Sequence, residues 1–78
     1  MSQFQDLDTM IEILGYTIAR FEAEEQFFRR SAEASTSAVA QALFNELADD
    51  MKNYIGSLER RRQKILDAQE DLTSAGKE

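Results

Sequence analysis

Carboxylates are the one kind of side chain in this sequence whose number and spacing could hold a metal ion. Glu22 and Glu25 stand one helical turn apart, and Glu46, Asp49 and Asp50 cluster further along. Helical bundles hold iron or manganese pairs between carboxylates on facing helices, but the usual set adds a Glu-x-x-His motif, and this chain has no His. Without His it lacks the commonest acid, base and transition-metal ligand near neutral pH. Cys is also absent, which excludes thiolate sites and disulfide staples. A set made only of oxygen favours hard ions such as magnesium, calcium or manganese.

Most of these carboxylates read as members of a solvated face: Glu22, Glu24, Glu46, Asp49 and Asp50. Glu25 differs, because it falls where the apolar stripe described below calls for an apolar side chain. With Arg29 it forms an i,i+4 pair in the favourable order; if buried, it must be paired, protonated or metal-bound. Two readings stay open here: an ordinary ion pair, or a carboxylate-only iron or manganese site built from Glu22, Glu25 and Asp50. Tyr54 reads as a core aromatic that could also donate its hydroxyl to Glu25. Met51 reads as packing, since a thioether is a poor ligand for hard ions.

The overall charge speaks against nucleic acid as a partner. Fifteen Asp and Glu face nine Lys and Arg, a formal net charge of -6, and such a field repels a phosphate backbone unless a basic patch is set apart. Arg60, Arg61, Arg62 and Lys64 are the only candidates, but they lack interleaved aromatics and stand between Glu59 and Asp67. Near a helix C-terminus the dipole favours cations without any ligand, and Arg61, on the apolar stripe, is expected to lay its stem over the bundle end. No apolar run approaches the roughly 20 residues that span a bilayer, and no charged-then-apolar leader opens the chain. A cytoplasmic protein with no membrane partner is expected.

The elements that position these residues are two helices. Zero Pro and three Gly in 78 residues leave few places for a chain to turn. The first helix is expected over about 8–33, capped by Asp6 or Asp8. Its apolar residues recur at alternating four and three as Leu7, Ile11, Leu14, Ile18, Phe21, Phe28 and Ala32, interrupted only at Glu25. Such spacing marks a helix that buries one stripe against a partner. Ala34-Ser35-Thr36-Ser37 is the internal punctuation, a turn over about 34–37 in which one of Ser35, Thr36 or Ser37 starts the next helix.

The second helix is expected over about 38–70. Ala40, Phe44, Leu47, Met51, Tyr54, Leu58, Arg61 and Ile65 repeat the four-three spacing, and Leu43, Ala48, Ile55 and Leu66 widen the face. Gly56 reads as an interior glycine tolerated where another helix approaches, and residues 71–78 as a disordered tail. A turn near Ser35 pairs Phe28 with Phe44, Phe21 with Met51, Ile18 with Tyr54 and Leu14 with Leu58. The expected fold is therefore all-α, an antiparallel helical hairpin. Two helices cannot cover faces this wide, so a homodimer or higher homo-oligomer is expected to complete a four-helix bundle through Leu14, Ile18, Phe28, Phe44, Leu47 and Leu58.

Two stretches carry a likeness to a known family: Glu24-Glu25-Gln26-Phe27-Phe28-Arg29-Arg30-Ser31-Ala32-Glu33 and Ala42-Leu43-Phe44-Asn45-Glu46-Leu47-Ala48-Asp49-Asp50-Met51. Phe21 to Leu58 resembles the first half of the ferritin-like superfamily, in its rubrerythrin-related branch. That family has an aromatic pair, an alanine-rich helix end, a turn, and a Leu-Phe-x-x-Leu-Ala segment leading into Glu-x-x-His. Carried over by position, the family's ligands fall at Phe21, Met51 and Tyr54. The resemblance thus implies former ligand positions now filled by packing, with ferroxidase, peroxidase and oxidase chemistry absent and no cofactor. The expected function is a small non-enzymatic ferritin-like scaffold or interaction protein, acting as a homo-oligomer with a protein partner still to be identified. The alternative is an iron or manganese binding or redox protein whose carboxylate site lies at the dimer interface.

Overall fold

A computed structural model describes residues 3–76. Two α-helices account for nearly all of them: α1, Gln3–Ala34, and α2, Ala38–Gly76. No strand occurs among the described residues. The helices pack against each other along their lengths as an antiparallel hairpin 62 × 17 × 13 Å.

The turn is the three residues 35–37, and side chains satisfy its backbone. Ser37 is the N-cap of α2: its Oγ accepts from the Ala40 amide at 3.3 Å and its carbonyl accepts from the Gln41 amide at 3.0 Å. On the other side, the Ser35 hydroxyl donates to the Ser31 carbonyl at 2.8 Å, and Gln41 Nε2 donates to the Ser35 carbonyl at 2.7 Å. Groups that a helix end leaves without intrahelical partners are met this way. No described residue has positive φ, so the chain reverses without the left-handed glycine common at helix ends.

Both helices run further than the sequence pattern suggested. Residues 3–7, which precede the expected first helix, are helical from Gln3, and the segment expected as a disordered tail is helical through Gly76; residues 1, 2, 77 and 78 lie outside the described residues. The two ends support each other. Gln69 Nε2 donates to Asp8 Oδ1 at 3.4 Å, and Leu7 and Leu72 line one groove of about 480 Å³. Ala68, Gln69, Glu70 and Leu72, good helix formers, carry α2 past its expected end while such a neighbour remains.

The seam follows a four-three repeat on both helices, though on α2 not the expected one. On α1 the expected stripe holds: Leu7, Ile11, Leu14, Phe21 and Phe28 are half-buried, and Ile18 and Ala32 are buried. On α2 the inward line is Phe44, Ala48, Met51, Ile55, Leu58, Arg62, Ile65 and Gln69. Ala48 is completely buried, whereas Leu47 is 41% exposed and Tyr54 57%. Leu47, Tyr54 and Arg61, expected in the stripe, therefore stand on its flank. Both lines share Phe44, Met51, Leu58 and Ile65, and the small side chains of Ala32 and Ala48 are both buried toward the turn end of the seam.

The cross-helix pairing also shifts by about one turn. Phe21 meets Tyr54, with ring centroids 6.3 Å apart, where Met51 was expected. Side chains lean toward the N-terminus of their own helix. In an antiparallel pair this tilts α1 side chains away from the turn and α2 side chains toward it, so contacts join residues further from the turn than backbone level alone predicts. The core is thin: Ile18, Ala32, Ala48 and Ile55 are the buried apolar residues, and no large side chain is fully buried. Burying the two Ile side chains contributes roughly 2 kcal/mol each.

Candidate functional site

The carboxylates singled out in the sequence do not converge. Among the described residues no group of three or more Asp or Glu is placed to hold a metal ion. Glu22, Glu46 and Asp50 are exposed, and Glu24 lies 3.8 Å from Arg20. Glu25 is half-buried in the seam, as its stripe position required. Its carboxylate is engaged by Arg29 at 3.3 Å, and the same guanidinium reaches Asp49 on α2 at 3.0 Å.

Arg29 thus bridges both helices while neutralising Glu25. The hydrogen bond to Asp49, more than that to Glu25, raises the guanidinium pKa above its ordinary value. Tyr54 does not bond Glu25; its ring packs edge-tilted on Phe21 at 47°. Of the three positions that the family likeness marks as former ligand sites, Phe21 and Met51 are half-buried on the seam and Tyr54 stands beside it. No buried side-chain polar atom among the described residues lacks a partner.

The arginine run separates as helical geometry requires, because adjacent residues do not share a face. Arg60 and Arg61 are exposed, while Arg62 turns into the seam. A side chain at Gly15 would meet the Arg62 guanidinium at 4.0 Å, and one at Gly56 would meet that of Arg60 at 3.4 Å. Gly56 therefore answers no approach by α1.

What the hairpin does present is a one-sided apolar flank. Met10, Ile13 and Phe27 on α1, and Leu43, Leu47 and Tyr54 on α2, are all exposed large apolar side chains. Their heptad positions place all six on the same side of the seam. A groove of about 200 Å³ on that side, lined by Met10, Ile13, Leu14, Arg61 and Ile65, joins the two helices' contributions. The opposite flank carries Asp8, Glu22, Arg29, Asn45, Lys52 and Glu59, with Leu66 as its large apolar residue. Sequence reading took part of the apolar flank for the seam itself. The signal that could separate them was the companion line through Ala48 and Ile55, which fits the same repeat.

No described helix is long and apolar enough to cross a membrane. Comparison of the chain with protein-family models, with curated proteins and with solved structures finds no match. Functional interpretation therefore rests on the hairpin's own surface.

Proposed function

We propose that this chain is a small non-enzymatic scaffold or interaction protein of ferritin-like build that works as a homo-oligomer. The observation that carries the reading is the asymmetry of the two flanks: six large apolar side chains stand uncovered on one side of a seam that buries only four apolar residues. An apolar surface of that kind, concentrated on one side, marks an association site. Hydrophobic packing of Phe21 on Tyr54, with Met51 half-buried on the seam, agrees with a ligand layer converted to packing, since apolar side chains avoid the cost of desolvating clustered carboxylates. The engagement of Glu25 by Arg29 gives that carboxylate a structural partner in place of a metal.

Light scattering on the purified chain tests the reading. A solution mass that is a multiple of 8.9 kDa at micromolar concentration is expected, and a monomer throughout would overturn it. Metal analysis after growth in iron- and manganese-supplemented medium is expected to give far less than one ion per protomer. Stoichiometric metal lost in a Glu25→Ala variant would instead establish a carboxylate site.

A further inference from the structure

We propose that the flank bearing Met10, Ile13, Phe27, Leu43, Leu47 and Tyr54 is the contact surface for a second copy of this chain, with the two hairpins antiparallel about a two-fold axis at mid-length. The proposal rests on the homo-oligomeric reading above and specifies its face and orientation.

Area argues for a partner of this size. A compact chain of 8.9 kDa exposes about 4,800 Å², whereas the hairpin exposes 5977 Å². The surplus, about 1,200 Å² per protomer, exceeds the roughly 800 Å² that each partner loses in a standard interface. An identical hairpin supplies an apolar face of equal length and width. A two-fold axis is the simplest way to bring the two together.

Charge chooses the orientation. Asp50 and Arg61 stand exposed on this side of α2, and neither has an ion-pair partner among the described residues. They are 11 residues apart, about 16 Å along the helix, and so cannot pair within one chain. A two-fold axis midway between Tyr54 and Ser57 brings Asp50 of each copy level with Arg61 of the other. That axis crosses α1 near Arg20, whose charge is offset by Glu24. Phe27 and Ile13 each lie seven residues from Arg20, so the same axis sets Phe27 over Ile13 of the second copy. Parallel hairpins, related by a two-fold axis along the bundle, would instead lay α2 of each copy on α1 of the other, setting Asp50 level with Glu25 to Phe28 and Arg61 level with Leu14 to Thr17, where neither meets an opposite charge.

Single cysteines introduced into this Cys-free chain test the geometry. Ser57→Cys, close to the axis, is expected to form a disulfide-linked dimer under mild oxidation. Leu43→Cys is not expected to do so, because its two copies would lie about 37 Å apart along the bundle. Asp50→Arg and Arg61→Asp are each expected to weaken the dimer about tenfold, since each breaks two symmetry-related pairs; the double variant is expected to recover wild-type affinity. Self-linking of Leu43→Cys, or failure of the double variant to recover, would overturn the orientation. A dimer by light scattering that Ser57→Cys cannot link would overturn this face while leaving the scaffold reading intact, and a monomer would overturn both.

Discussion

The two flanks of the hairpin lie at equal angular distance from the same seam, yet one carries mostly carboxylates, amides and cations, with Leu66 among them, and the other sets Met10, Ile13, Phe27, Leu43, Leu47 and Tyr54 among charges such as Asp50 and Arg61. On the polar flank the hairpin closes with Leu66 as the one exposed large apolar side chain among the described residues. Arg29 of α1 reaches α2 there through Asp49, with Glu25 of its own helix on the same guanidinium. The exposed apolar side chains opposite are therefore surplus to the hairpin, and the proposed association rests on them. A protein that needed only to fold as two helices would gain nothing from exposing Phe27 and Tyr54 to water.

The sharpest way to break this comparison is to weaken the seam rather than a flank. Ile55→Ala, at a position 8% exposed, is expected to cost about 2–4 kcal/mol by denaturant unfolding at fixed protein concentration. Equal losses from Leu43→Gln, measured at a concentration where light scattering reports a monomer, would show that the flank also holds the hairpin together; a change within about 0.5 kcal/mol is expected there. At the turn, Ser37→Ala removes the acceptor for the Ala40 amide and is expected to cost about 1 kcal/mol. Gly56→Ala should act in the opposite sense. The new Cβ meets only the far end of Arg60, so a gain of up to about 1 kcal/mol is expected from helix propensity. A loss at Gly56 would instead reveal a second helix packed against that position.

The smallest effect is expected on the polar flank. Arg29→Met removes both ion pairs, and the loss should shrink as salt is added, because exposed pairs are screened. Should the loss persist undiminished in high salt, the Glu25–Arg29–Asp49 bridge would count as part of the seam.

Much of the fold was legible because it rests on local chemistry. The turn at Ser35–Ser37, the α1 stripe and the interrupting Glu25 all follow from residue type and spacing within one helix. Glu25 also shows how far a site can be read: its stripe position predicted partial burial, and Arg29 four residues on predicted its partner. The bridge from Arg29 to Asp49 could not be read, since the two residues are joined only by the packing of α1 on α2. The pairing of Phe21 with Tyr54 was missed for a related reason: the lean of side chains along each helix displaces contacts from backbone level.

By itself the sequence determined two helices, one tight reversal and an apolar arc too wide for either helix to hide. Tertiary structure alone decided which edge of that arc on α2 faces inward. Neighbouring helical residues point about 100° apart, so lines through Leu47, Tyr54 and Arg61 or through Ala48, Ile55 and Arg62 serve equally well beside the shared Phe44, Met51, Leu58 and Ile65. Burial of Ala48 and Ile55 marks the second line as the one that faces α1, and it leaves Leu47 and Tyr54 turned outward.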